Sequence, residues 1–371
     1  MEVFYDGAIY SIQRFGGINR YFANLYAHLP DSIQRNLVTI ETPELASPKL
    51  NIFRPEVSPW MRWNKMLRRR SEASQVRKTI RRSGPAIIHP TYYRFLSRDH
   101  YEVRNRGNGR RLPVVLTVYD FIHEKFREQI RHSERQIAWK KQAIERADAI
   151  ICISKSTMDD LGEYYGRAAD KACVIYLAND LKPALEDNSA RVKEAHGRYF
   201  LYVGSRNTYK NFGLLLAASK HLADTGEEFR VICVGPEFTE SELAQIHELK
   251  LNRSIIHAGK VDDETLIQLY QNSLAFVYPS LYEGFGIPLL EAMACSTPVI
   301  ASDRSSFPEI VGENGLLFDP DCKESLAAAM SKLLDDEFLR VELVEKGRQR
   351  ARQFSWEATA NQTADVYRRV A

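Results

Sequence analysis

The chain has no C-x-x-C pair and no disulfide framework. Its five cysteines (Cys152, Cys173, Cys233, Cys295 and Cys322) are odd in number and scattered along 371 residues. That excludes a small disulfide-stapled secreted domain and predicts reduced thiols in a cytoplasmic protein. No apolar run approaches the roughly 20 residues needed to cross a bilayer, so no membrane-spanning helix is expected. The start, MEVFYDGAIY, lacks the basic opening and long apolar core of a signal peptide. A G-x-G-x-x-G fingerprint is also missing, which counts against dinucleotide-dependent redox chemistry. Basic and acidic residues nearly balance, 51 against 48. The net charge therefore singles out no partner.

What is present is an alternation of buried runs and helical patterns, which argues an α/β protein with parallel sheets. The length suits two domains at ~150 residues each. In the first half, Glu2–Tyr5, Leu37–Ile40, Ala86–His89, Leu112–Val118, Ala149–Ser154 and Val174–Leu177 read as strands. Ile18–Leu29 reads as a helix, and a long amphipathic helix is expected between Val118 and Ala149. The polar stretch Leu181–Arg198 is the best linker. A second set of strands begins at Tyr199–Gly204 and continues through Val231–Gly235, Ser254–Ala258, Leu274–Tyr278 and Pro298–Ala301. Trp356–Val370 reads as a closing helix. The expected division is 1–183, a linker at about 184–198, and 199–355, with 356–371 as the final helix.

The most informative stretch is Ser280–Pro308, SLYEGFGIPLLEAMACSTPVIASDRSSFP. Glu283 and Glu291 stand eight apart around a Gly284-Phe285-Gly286 turn. A strand should precede the turn, and Pro288 is tolerated in the first turn of the helix that follows. Glu283 then falls on the loop at a strand's carboxyl end, the edge where open α/β sheets bind ligands. Ionised carboxylates accept strong hydrogen bonds from hydroxyls, which suits a neutral polyol. The bare glycine backbone lets a bulky ligand approach closely.

This string resembles the E-x7-E signature of retaining glycosyltransferases of family 4, which have the GT-B fold. The likeness runs from Gly16-Gly17 to the FSWE segment at Phe354–Glu357 and is strongest from Tyr199 to Pro308. It implies two Rossmann-like domains facing across a cleft, with the last helix crossing back to the first domain. It further implies that Glu283 contacts the donor sugar and Glu291 the ribose of a nucleoside-diphosphate sugar, GDP- or UDP-linked. Gly284, Phe285, Gly286 and Ile287 lie in the same donor-binding string.

Other segments carry parts of the same resemblance. Gly16-Gly17 opens a helix whose backbone N–H groups suit an anion such as pyrophosphate. The segment from Gly204 to Asn211 matches one whose basic groups neutralise the departing diphosphate. Lys210 matches the family lysine, Tyr209 stands where an arginine is common, and Arg206 is the substitute. Fixed cations there would stabilise the charge that grows as the glycosidic bond breaks. Val261 is a candidate neighbour of the base. In LTVYDFIHEKF, Tyr119 occupies the position of the family's usual histidine and Asp120 keeps its place, while His123 follows. Either Tyr119 hydrogen-bonds the sugar or His123 takes the histidine's part. Asp319-Pro320-Asp321 has the spacing of a metal-nucleotide motif but reads as a turn and helix cap. No metal or organic cofactor is expected.

Trp60–Arg82 holds nine Lys/Arg and one acid, Glu72, interleaved with Trp60, Trp63, Met66 and Leu67. Such a composition suits an anionic membrane surface, at ~1 kcal/mol per basic residue near the lipid. No nucleic-acid-binding motif accompanies it. The expectation is a peripheral hexosyltransferase on the inner face of the cytoplasmic membrane. It would move mannose or glucose to a glycan or polyprenyl-linked acceptor. A sugar-nucleotide epimerase of similar fold, or a non-catalytic sugar-nucleotide-binding protein, remains open at this point.

Overall fold

A computed structural model describes residues 1–13, 16–43, 47–54, 74, 78, 86–93, 111–183 and 197–371. The basic segment Trp60–Arg82 lies outside the described residues save Ser74 and Lys78. The expected linker at 184–198 does so save Gly197 and Arg198. The chain divides into two compact units, Met1–Leu177 with Ser355–Ala371, and Ala178–Phe354.

In the first unit, β1 (Glu2–Asp6), β2 (Gln34–Val38), β3 (Leu50–Phe53) and β4 (Ala86–Ile88) form a parallel sheet ordered β3-β2-β1-β4. Strands β5 (Val115–Val118), β6 (Ala149–Cys152) and β7 (Ala172–Val174) continue in parallel. Among the described residues, an isolated bridge from Ile88 to Val114 connects the two sets. Strands covered on both faces read as near-continuous apolar runs, as in Val115–Val118, where every residue is buried and Thr117 alone is polar. The expected long helix between β5 and β6 is two helices, Ile122–Lys125 and Ser133–Arg146. They are separated at His132, whose φ of 64° places it in the left-handed region. Strand β7 also sits two residues earlier than its apolar pattern suggested.

The C-terminal helix, Trp356–Val370, belongs to this first unit. Its N-terminus is capped by Ser355, whose side chain accepts from Ala358 N. Buried Trp356, Thr359, Ala360, Thr363, Ala364 and Tyr367 recur at the helical period and form one face. That face carries polar anchors as well. Thr359 Oγ1 donates to Tyr176 O at 2.7 Å. The Tyr367 hydroxyl lies 2.6 Å from His89 Nδ1 and 3.1 Å from the Tyr5 hydroxyl. His89 Nε2 is 2.9 Å from Thr117 Oγ1, so both ring nitrogens are satisfied inside the core. Burial pushes the His89 pKa down to about 3, so the ring is neutral.

The second unit carries β8 (Tyr199–Val203), β9 (Arg230–Val234), β10 (Ile255–Gly259), β11 (Ala275–Tyr278), β12 (Val299–Ser302) and β13 (Leu316–Phe318). All pairings are parallel, in the order β10-β9-β8-β11-β12-β13. The chain winds outward from β8 in one direction, then returns to start β11 on its other side. The switch point therefore lies between β8 and β11, and loops at their carboxyl ends flank the crevice that this topology creates. Phe200, Tyr202, Leu215, Leu216, Val231, Val277, Ile300 and Met330 form part of the core beneath it.

Candidate functional site

Two loops meet at the switch point of the second unit. After β8, the chain runs through Gly204–Asn207 and a single turn, Thr208–Lys210, before helix Phe212–Ala223. After β11 it runs through Pro279–Gly286 before helix Ile287–Ala294. Leu281 N donates to Tyr209 O at 2.8 Å, which ties the loops together at the backbone. Lys210 Nζ then pairs with Glu283 Oε1. Lys210 also donates to the Tyr278 hydroxyl at 3.3 Å, and that hydroxyl donates to Glu283 Oε1 at 2.9 Å. Burial alone would discharge Lys210, but the neighbouring Glu283, with Tyr278 and Tyr209, holds its pKa above the usual lysine range. The Tyr278 pKa is raised well above the ordinary phenol value, first by burial and then by Glu283, so its hydroxyl keeps its proton.

The Glu283 backbone is clamped from the β12 loop. Its N–H donates to Ser305 Oγ at 3.2 Å, and its carbonyl accepts from Ser305 Oγ at 2.5 Å and Ser306 Oγ at 3.1 Å. Ser306 Oγ also donates to Phe285 O at 2.7 Å. Gly286 caps the next helix with a φ of 104°, and an added Cβ would meet Leu289 and Phe307. Pro288 occupies the first turn, as its fixed φ allows. Glu291 follows in the second turn, buried, with its Oε2 3.4 Å from the Tyr270 hydroxyl.

Arg206 is committed elsewhere. Its Nε pairs with Glu242 Oε1 at 2.8 Å, and its Nη2 donates to Pro236 O at 2.8 Å and Glu237 O at 2.6 Å. Phe212 and Phe238 flank the guanidinium, leaving the side chain 3% exposed. Its Nη1 is buried and has no hydrogen-bond acceptor among the described residues. Arg206 thus fastens the Gly204–Asn207 loop to the loop after β9, whereas Lys210 meets Glu283. Gly204 and Gly235 pass so closely that a Cβ on Gly235 would sit 2.4 Å from Gly204 O. Val261 follows β10 on the same edge and is half-buried. Asp319 and Asp321 both pair with Arg304, at 3.4 and 2.6 Å, and Asp319 accepts from Asp321 N. The following helix, Lys323–Asp335, is preceded at its cap position by Cys322, so neither aspartate caps it. Among the described residues no group of three or more His, Cys, Asp or Glu is placed to hold a metal.

The remaining candidates lie in the first unit. Gly16 and Gly17 open helix Gly17–His28, with Asn19 held against Gln13. Tyr119 is buried at the end of β5, and its hydroxyl donates to Thr91 O at 3.1 Å. Asp120 Oδ1 accepts from Ile122 N at 3.1 Å, forming a local turn. Buried Lys140 donates to Asp120 O at 2.7 Å and Glu124 Oε2 at 2.6 Å, fixing this strap. His123 lies half-buried on the strap, 3.3 Å from Ser133 Oγ, its pKa lowered by burial against the opposing pull of Asp120.

Three residues of the switch-point site carry no distinct mark in the sequence: Tyr278, Ser305 and Ser306. Tyr278 ends an apolar strand, where an aromatic is unremarkable. The serines stand some twenty residues beyond the loop they hold. Their one signal is a polar stretch, Asp303–Ser306, after a buried strand at the ligand-binding edge of the sheet.

The family model for glycosyl transferases group 1 matches residues 186–350, and that for glycosyltransferase family 4 matches residues 15–182. The O-antigen chain mannosyltransferase B of Escherichia coli is 30% identical over 303 residues, spanning 76% of this chain and 78% of that protein. Further mannosyltransferases of that species, at 29–30% identity, are matched over only 38–39% of their own length. Among solved structures, sucrose-phosphate synthase from Thermosynechococcus elongatus aligns with a TM-score of 0.78 at 23% identity, covering 100% of this chain and 98% of that one. The Anabaena protein HepE, solved with UDP and glucose, aligns with a TM-score of 0.76 at 19% identity, covering 99% and 98%.

Proposed function

The chain belongs to glycosyltransferase family 4 and has the GT-B fold, and from that premise we propose a retaining hexosyl transfer. The donor is a nucleoside-diphosphate sugar, GDP- or UDP-linked, of mannose or glucose type. The acceptor is a hydroxyl of a glycan or polyprenyl-linked glycan, in cell-surface polysaccharide assembly. Mannosyl transfer is favoured by the names of the relatives, and a uridine donor by the UDP held in HepE. The observation that carries the reading is the meeting of Lys210 and Glu283 at the switch point, with Glu291 in the next helix.

In this reading the second unit holds the donor. Glu283 accepts hydrogen bonds from sugar hydroxyls and Glu291 from the ribose. Lys210 meets the diphosphate as the bond from the anomeric carbon to phosphate oxygen breaks and charge builds on that oxygen. Arg206 sets the loop that presents Lys210. The acceptor oxygen bonds to the anomeric carbon on the same face, and its proton passes to the leaving phosphate oxygen. The chain's contribution is orientation, charge stabilisation and exclusion of water. Acceptor binding is assigned to the first unit, where Asp120 and His123 are candidates for acceptor or sugar contacts. The reaction calls on no metal or organic cofactor. No helix among the described residues is long and apolar enough to cross a membrane. The composition of Trp60–Arg82 supports docking on anionic lipid at the cytoplasmic face, which liposome flotation tests directly.

A thermal-shift screen with GDP-mannose, UDP-glucose, GDP and UDP tests the donor. One nucleotide family should stabilise the chain, and an acceptor-dependent transfer with retained anomeric configuration should follow. Failure of every nucleotide to bind would overturn the reading. Isomerisation of the sugar nucleotide without acceptor would replace it with an epimerase.

A further inference from the structure

The Glu283 carboxylate has two oxygens in different situations. Both bonds that described residues make to it, from Lys210 and from the Tyr278 hydroxyl, land on Oε1. Oε2 bonds to no described residue. The backbone of Glu283 is held on both its N–H and its carbonyl by Ser305, so only the side-chain torsions are left to set. Of the two groups that set them, Lys210 is the one a diphosphate competes for, since an anion draws the ammonium. The other sits on a ring that does not move freely. Tyr278 is buried, with Phe276 and Phe307 at centroid distances of 5.4 and 5.2 Å.

We propose that Tyr278 is a positioning residue for the transfer reaction. Its hydroxyl pins Glu283 Oε1, presents Oε2 to the donor's sugar hydroxyls, and keeps that orientation when Lys210 turns to the diphosphate. The proposal rests on the donor-site reading above and assigns a part to a residue outside the family signature. It makes sugar recognition depend on a hydroxyl that touches neither sugar nor phosphate. In the unliganded chain Lys210 backs it up; in the loaded chain nothing else described does.

The test is Tyr278→Phe in the full chain, which removes the hydroxyl and keeps the ring. Binding of GDP and UDP should stay within about 2-fold of the parent, while GDP-mannose or UDP-glucose, whichever the parent binds, should weaken about 10-fold or more, the scale of a hydrogen bond to a charged group. Equal weakening of diphosphate and sugar nucleotide, or weakening of neither, overturns the proposal. A ligand-free arm compares the melting shift caused by Tyr278→Phe in the parent and in a Lys210→Met background. The shift should be larger in the second, where Tyr278 alone holds Glu283; equal shifts also overturn it. Should the parent bind none of the four nucleotides, the donor-site reading falls and the melting comparison still decides the role of Tyr278.

Discussion

Replacing Lys210 with methionine probes the switch-point site of the second unit most directly. The side chains of Lys210 and Glu283 are only 13% and 12% exposed, so the pair is not a surface ion pair, for which ~0–1 kcal/mol is typical. Removing one partner of a buried pair leaves an uncompensated charge, at a cost of about 3–5 kcal/mol. Here Tyr278 still donates to Glu283 at 2.9 Å, which softens the loss. We therefore expect the low end, about 3 kcal/mol, from denaturant unfolding of Lys210→Met. Glu283→Gln should cost a similar amount, and the double variant should recover about 2 kcal/mol relative to the sum of the singles. The ammonium's raised pKa adds a second readout. Its stabilisation is present in full below the ordinary lysine value near ~10.4 and is lost only as pH climbs beyond it, a loss that Lys210→Met should not show. Turnover should fall about 100-fold or more, the scale of losing one preorganised group at a developing oxyanion. Strict additivity of the two substitutions, together with undiminished turnover in Lys210→Met, would refute the assignment.

Other predictions use different parts of the molecule. Glu291→Gln should raise the donor Kd about 10-fold with turnover of bound donor nearly unchanged, measured by calorimetry and single-turnover kinetics. Gly235→Ala places a Cβ 2.4 Å from a backbone oxygen at a φ of 148°, and should destabilise the second unit by about 2 kcal/mol in urea unfolding. His89, with its pKa pushed down to about 3, should make the first unit lose stability as pH falls, because the unfolded chain takes up a proton below ~6.5 while the folded one does not. The slope attributable to that ring is about 1.4 kcal/mol per pH unit, levelling near pH 3, and His89→Gln should remove it.

What the sequence disclosed and what it concealed divide along a physical line. Buried runs such as Val115–Val118 and Val299–Ser302 declare themselves because a strand covered on both faces needs apolar side chains at nearly every position, here all but Thr117 and Ser302. Strand β3 was missed because Leu50–Phe53 has one buried residue in four and lies at the sheet edge, where that demand lapses. Strand β13, also at an edge, has an exposed Leu317. The candidate site splits in the same way. Glu283 and Glu291 are legible because only seven residues of one loop and helix separate them, and local geometry carries that spacing. Lys210 and Glu283 are 73 apart in sequence, Arg206 and Glu242 36 apart, and Ser305 and Glu283 22 apart. Those pairings follow from the strand order, which puts β11 beside β8 and β12 beside β11, and a parallel sheet forms them only after its crossovers are laid down. Arg206 shows the consequence most clearly. By sequence it is a basic residue four positions from Lys210 and the substitute for the family arginine at the diphosphate. The neighbouring β9 loop supplies a carboxylate and two carbonyls, and those partners turn it from a ligand contact into the fastening of the loop that carries Lys210.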